Sequence, residues 1–211
     1  MSYSQLGQDT AVLNAYPDRV GYFVDIGAYD GKEYSNTLLL EEKGWTGICA
    51  EPSPPMFEEL KKNRKFCFLT DKAVWHTTGE TVEFAVVESG GQHGMLSGIT
   101  GFSTGEYKAA QDKSRKVQVK TVSLNDLLVT ANAPKFMEYL SLDTEGTEYD
   151  ILKALDFSKW VFGLIDVEHN FEEAKRESIR RLLEGNGYVF LRQNKWDDCY
   201  IHHTQTSEVS V

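Results

Sequence analysis

The chain has 211 residues, 41% hydrophobic and 26% charged, enough for one α/β domain with a sizeable core. Its net charge of −10, with no stretch rich in Lys and Arg, argues against a nucleic-acid phosphate backbone as partner. No apolar run is long enough to span a bilayer, Met1-Ser2-Tyr3-Ser4-Gln5 does not open a signal peptide, and Cys49, Cys67 and Cys199 read as reduced core residues, so the expected setting is cytoplasmic.

Strand-like and helix-like segments alternate along the chain, which predicts a mostly parallel sheet with helices on both faces. A strand over Tyr22–Ile26 runs into a glycine turn, and a helix over 35–43 ends at Gly44. A second strand covers 47–51. Pro54 and Pro55 then open a helix over 56–63, whose basic run Lys61, Lys62, Arg64 and Lys65 suits a C-terminus. Cys67–Thr70 and Ala73–Trp75 read as one third, kinked strand, and 81–87 as another. Residues 88–116, rich in glycine, break the rhythm; a substrate-side wall and a surface insertion fit equally well. A strand over 117–122 leads to Ser123-x-x-Asp126, a capping pattern for a short helix. Residues 139–143 form a central strand, 145–155 a helix, Val161–Glu168 the next strand, and 172–184 a helix stopped by Gly185-Asn186-Gly187. Strands over 188–192 and 199–202 form a terminal antiparallel hairpin, and the tail 204–211 frays. No repeat and no second domain is visible.

The most informative stretch is Tyr22-Phe23-Val24-Asp25-Ile26-Gly27-Ala28-Tyr29-Asp30-Gly31, a buried strand entering a glycine turn. The acid Glu51 follows at the tip of the second strand, about 25 residues on, where it can accept both hydroxyls of a ribose. The glycines are Gly27-x-x-x-Gly31, not the G-x-G-x-x-G of a dinucleotide site, and Asp25 and Asp30 would repel a pyrophosphate. Two acids tolerate a cofactor with a sulfonium and an ammonium, which describes S-adenosylmethionine (SAM).

Ser4-Gln5-x-Gly7-Gln8-Asp9, Phe23-Val24-Asp25-Ile26-Gly27-Ala28-x-Asp30-Gly31, Ser35-Asn36-Thr37 and Gly44-Trp45-x-Gly47-x-x-x-Glu51-Pro52 together resemble the FkbM family of SAM-dependent methyltransferases. The likeness continues through Leu140-Ser141-Leu142-Asp143-x-Glu145-Gly146-x-Glu148 and Val167-Glu168-His169, in order over nearly the whole chain. It implies a class I methyltransferase (Rossmann-like) fold, a mostly parallel seven-stranded sheet with a C-terminal antiparallel hairpin. It also implies O-methylation of a sugar or glycan hydroxyl, with a polyketide-like small molecule as the alternative acceptor. A non-catalytic SAM-binding module is the third reading, and the intact Asp25, Glu51 and Asp143 argue against it.

Gly27, Ala28 and Gly31 are expected to carry the methionyl end, and Asp25 to orient it through turn amides or its ammonium. Glu51 is expected on the ribose diol, Ser53 on the ribose or adenine edge, and Asp71 to Val74, with Ala73 among them, along the adenine. Ser35, Asn36 and Thr37 suit the methionine carboxylate, with a plain helix cap equally open for Ser35. The resemblance alone places Gln5 and Asp9 near the cofactor.

A sugar hydroxyl needs a base or a metal to lower its pKa. Two routes fit the strand ends. In one, Asp143, Glu168 or His169 takes the proton; His169 has the most suitable unperturbed pKa, and a satisfied loop histidine is the competing reading. In the other, Asp143, Glu168 and Glu145 bind a hard divalent ion such as Mg²⁺ or Mn²⁺. Glu148 reads as favourable charge at a helix N-terminus, while Asp166 shares a strand face with Glu168. Among the other histidines only His93 is placed to reach an acceptor, and Tyr29, Trp75 and Phe102 are candidates to stack on sugar or adenine.

Overall fold

A computed structural model describes residues 2–87 and 96–206, with the side chains of 106 and 107 excepted. His93, most of the glycines of the 88–116 segment's first part and the end of the tail lie outside the described residues.

The chain orders its elements as α1 (Gln8–Ala15), β1 (Tyr22–Ile26), α2 (Leu38–Glu42), β2 (Thr46–Ala50), α3 (Pro54–Asn63), β3 (Cys67–Thr70) and β4 (Ala73–Trp75). Then come β5 (Thr81–Val86), β6 (Gly98–Ile99), α4 (Gly105–Asp112), β7 (Arg115–Ser123), α5 (Leu124–Thr130) and β8 (Phe136–Leu142). The last are α6 (Glu148–Ala154), β9 (Val161–Glu168), α7 (Glu173–Gly185), β10 (Tyr188–Asn194) and β11 (Asp197–His202). A seven-stranded sheet runs β3-β2-β1-β8-β9-β11-β10. Its pairs from β3 to β9 are parallel, and β11 runs antiparallel to both neighbours, so the expected hairpin closes the edge.

The central strands are apolar because both faces are covered. On one face Val24, Ile48, Leu140 and Ile165 pack with Leu127 of α5, Ile151 of α6 and Leu183 of α7. On the other, Phe23, Cys49, Tyr139 and Leu164 meet Val12 of α1, Leu40 of α2 and Leu60 of α3. Beneath α2 the guanidinium of Arg64, 2% exposed, lies 2.6 Å from Glu41 and 5.2 Å from the centre of the Phe23 ring.

Three expectations change. The third strand is two: β3 stays in the main sheet, and β4 leaves it to pair in parallel with β7 in a four-stranded sheet, β4-β7-β5-β6. The break falls where Thr70 Oγ1 accepts the Lys72 N–H, a local bond that competes with the ladder. Residues 105–112, inside the expected loop, form α4, and α1 lacks the one-sided apolar stripe that would have announced it. The helix expected over 145–155 begins only at Glu148, because Glu145 (φ 59°) and Gly146 (φ 129°) turn the chain left-handed first.

Candidate active site

The sheet's register builds the site. Leu142 pairs with Val167, so Asp143 and Glu168 follow side by side at the C-terminal edge, and Glu168 pairs with Asp197 of β11. On the other side Asp143 N–H bonds the Ile26 carbonyl, while Gly27 and Ala28 N–H both bond the Ala50 carbonyl just before Glu51. Glu51, Gly27, Asp143, Glu168 and Asp197 thus lie in sequence along one edge of the sheet, at the carboxyl ends of the parallel strands and the start of antiparallel β11, where open α/β sheets bind ligands. Gly27 cannot be replaced here: at φ 91° a Cβ would stand 1.7 Å from the Asp143 carbonyl oxygen.

An open hollow of about 380 Å³ lies on the Glu51 side, lined by Gly27, Glu51, Ala73, Val74, Phe84 and Ile99. An adjoining one is lined by Tyr29, Glu51, Ser53, Met56 and Asp143. Glu51 accepts the Ser53 N–H at 2.7 Å and the Tyr29 N–H at 2.9 Å, one on each oxygen, which fixes its carboxylate toward the cleft. Burial pushes this acid up to about 8, and the nearby Asp143 and Asp25 charges add to the effect. Ser53 Oγ is buried without a hydrogen-bond partner beside it. A two-acceptor acid, an orphaned hydroxyl and apolar walls from Ala73, Val74, Phe84 and Ile99 fit the ribose and adenine of SAM.

Several residues expected at the cofactor have partners within the chain. Asp25, at 4% exposure, accepts Thr37 Oγ1 at 2.5 Å rather than any turn amide, and Arg64 sits by it. Ser35 Oγ accepts the Leu38 and Thr37 N–H groups and so ties the turn ahead of α2, whose N-cap is Thr37. The missing Cβ of Gly31 leaves space for Leu60 and Arg64. Asp9 gathers the hydroxyls of Ser2 and Ser4 and the backbone N–H of Tyr3 and Thr10. Asp71 lies outside these hollows, on a surface groove with Lys72 and Lys120. Trp75 is buried in the second sheet, with Phe102 edge-on at 4.8 Å.

The acids at the strand ends do converge. Carboxylate oxygens of Asp143, Glu145 and Glu168 all lie within 4.8 Å of one another. Glu168 shares a hydrogen bond with Asp143, and Asn170 Nδ2 donates to Glu168 at 2.7 Å. Burial raises Asp143 to about 6. Burial, then the neighbouring acids, push Glu145 and Glu168 well above the usual carboxylate range. Glu145 owes its place to the left-handed turn that the helix expectation missed. Glu148 is different: its Oε1 accepts the Thr144 and Gly146 N–H groups and its Oε2 meets Lys175 at 3.2 Å, so it holds that turn.

His169 lies apart from this cluster. Its neighbour Glu168 points into the cleft, so alternation along the strand end turns the imidazole away. Nδ1 accepts the Phe171 N–H at 3.0 Å and Nε2 faces Asp198 at 3.6 Å, with the ring 1% exposed. Burial lowers its pKa.

Beyond Asp143 lies a third, polar hollow lined by Gln5, Tyr34, Asn36, Asp166, Glu168 and Asp197. Asp197 and the walls Phe84 and Ile99 were not foreseen: they come from the hairpin and the second sheet, which no local motif ties to the glycine turn.

Among curated proteins no match is found. A Pyrococcus horikoshii protein taken to be an RNA methyltransferase superposes with a TM-score of 0.47 at 9% identity, over 93% of this chain and 82% of that one. A TehB-like SAM-dependent methyltransferase from Corynebacterium glutamicum gives 0.46 at 8%, over 94% and 88%. The family model described as the methyltransferase FkbM domain matches residues 25–190, from the Asp25 strand end through α7 into β10. The chain belongs to the FkbM methyltransferase family, on a class I methyltransferase fold.

Proposed function

We propose that this protein methylates a hydroxyl oxygen of a sugar or glycan, with SAM as donor. The observation that carries the reading is the position of Asp143, which lines the Glu51 hollow on one side and the polar hollow on the other. SAM supplies a methyl group activated on a sulfonium. Glu51 and Ser53 orient the ribose end, and the Gly27 turn brings the chain close beside Asp143. The acceptor oxygen, aligned from the Asp143 side, attacks the methyl carbon as the carbon–sulfur bond breaks. Such alignment supplies about 7–11 kcal/mol at best. Asp143 takes the hydroxyl proton: its pKa of about 6 leaves it ionised at neutral pH yet basic enough to act. Glu168 supports it through the shared hydrogen bond.

Asp143, Glu145 and Glu168 also have the composition and spacing to hold Mg²⁺ or Mn²⁺, which would supply positive charge to acidify the acceptor hydroxyl. Removal of metal with EDTA distinguishes the routes: an unchanged rate leaves Asp143 as the base alone, and a loss restored by Mg²⁺ or Mn²⁺ assigns the metal.

Labelled methyl transfer from SAM to a panel of glycosides tests the reading. Methyl ethers on a sugar support it. Turnover confined to a macrolide or another hydroxylated small molecule refutes the sugar assignment, and SAM binding with no transfer to any hydroxyl refutes the O-methyltransferase reading.

A further inference from the structure

We propose that Asn170 is a positioning residue for the methyl transfer: through Glu168 and Glu145 its side-chain amide sets the acids beside Asp143. The inference rests on the O-methyltransferase reading and adds a residue that none of the sequence motifs contains.

Backbone conformation marks the place. Asn170 and Phe171 follow one another in the left-handed region at φ 49° and 58°, and Glu145, whose carboxylate meets Asn170, stands at φ 59°. Asparagine tolerates that region, but a phenylalanine and a glutamate there are held by their surroundings. Residues held in this way gather where a site needs one particular geometry.

The surroundings that hold them are visible. The His169 N–H donates to the Trp196 carbonyl at 2.8 Å, and the Glu172 N–H to the His169 carbonyl at 2.8 Å. Thr104 Oγ1 donates to Glu172 Oε1 at 2.9 Å, and Ser103 Oγ to the Glu145 carbonyl at 2.7 Å. A Cβ on Gly146 would stand 2.7 Å from the Phe102 carbonyl oxygen. Residues 102–104 thus brace both left-handed turns, the one that carries Glu145 and the one that carries Asn170.

What the second turn presents is a bridging amide. Asn170 Nδ2 donates to Glu168 Oε2 at 2.7 Å and, at the longer distance of 3.4 Å, to Glu145 Oε2. Its two N–H groups suffice for one bond to each acid. A glutamate side chain turns about several single bonds, so its own geometry does not keep Glu168 against Asp143. A donor fixed on a braced turn does, and the hydrogen bond that Glu168 shares with Asp143 depends on it. Asn170 Oδ1, by contrast, is buried with no hydrogen-bond partner in the chain. An amide kept for folding alone would have both ends satisfied. Here the side chain is placed for its nitrogen.

Glycine suits a left-handed position, so Asn170→Gly removes the amide and spares the turn. The test uses the full chain with labelled SAM and a panel of methyl glycosides and hydroxylated macrolides, with SAM Kd read by calorimetry and folding by circular dichroism. For Asn170→Gly the expected kcat falls about 10- to 100-fold, while acceptor KM and SAM Kd stay within about threefold. Asn170→Ala should lose as much. Phe171→Gly, which eases the neighbouring left-handed residue and removes a ring that is 61% exposed, should keep kcat within about threefold. A kcat near wild type in Asn170→Gly would overturn the inference. So would a loss in Asn170→Ala alone or an equal loss in Phe171→Gly, since either assigns the effect to the backbone of the turn. A SAM Kd that weakens in step with kcat, or loss of the fold in both Asn170 variants, would overturn it as well, by making the amide a cofactor contact or a purely structural group. Any of these results alongside wild-type transfer to a hydroxyl leaves the O-methyltransferase reading standing, whereas SAM binding by the wild type with no transfer to any hydroxyl defeats both.

Discussion

Removing one ionisable acid from the acidic trio should stabilise the protein at alkaline pH. Glu168→Gln is the cleanest perturbation, because glutamine keeps both hydrogen bonds: its oxygen accepts Asn170 Nδ2 and its amide donates to Asp143. Only the ionisable charge is lost. Ionising Glu168 4.8 Å from an ionised Asp143, the limit of the trio's spacing, would cost about 3.5 kcal/mol at an effective dielectric constant of about 20, and this cost holds the proton on folded Glu168. Lys175 lies near enough to offset part of that. The expected gain is therefore about 1–3 kcal/mol at pH 8 in EDTA. The sign follows from proton linkage. Glu168 is raised above its unfolded value of 4.5, so the folded state keeps a proton that the unfolded chain loses, and wild-type stability falls as the pH climbs above 4.5. Near pH 5 the native Glu168 is already neutral and the variant should gain almost nothing. Urea unfolding at both pH values measures the difference. An equal effect at pH 5 and pH 8, or a variant destabilised by more than about 1 kcal/mol at pH 8, would refute the reasoning.

Three other substitutions probe separate parts. Arg64→Met strands the buried carboxylates of Glu41 and Asp25 and should cost about 3–5 kcal/mol in urea unfolding; a loss under about 1 kcal/mol would mean the ion pair is dispensable. His169→Gln should leave kcat within a few-fold of wild type and its pH profile unshifted, since the ring faces Asp198, whereas a loss of about 100-fold or more would restore histidine as the base. Gly27→Ala forces backbone apart at the Asp143 carbonyl and should abolish SAM binding or folding, as read by calorimetry and circular dichroism; a wild-type Kd would contradict the close approach.

What the sequence made legible is short-range. The glycine turn, Glu51 at the next strand tip, and Asp143 and Glu168 at central strand ends are readable because strand, turn and acid are contiguous, and parallel pairing then brings them into one row. Period-two alternation could also have ruled out His169 beside Glu168, and it correctly grouped Asp166 with Glu168 on the polar hollow. Asp25 misleads because a polar residue at a strand end looks like a ligand group, whereas here Thr37 and Arg64, far along the chain, satisfy it. Glu145 enters the site only through a left-handed residue that helix propensity does not announce. Phe84, Ile99 and Asp197 arrive from pairings between distant strands, for which local pattern carries no signal.

The central claim is that Glu51 and its neighbours hold SAM beside Asp143. Titrating SAM into the purified protein by calorimetry, in parallel with Glu51→Ala, tests it most directly. The account predicts micromolar binding by the wild type and a Kd at least about tenfold weaker in the variant, from loss of the hydrogen bonds that Glu51 makes to the ribose. Equal affinity in the two proteins, with the variant still folded by circular dichroism, would contradict it.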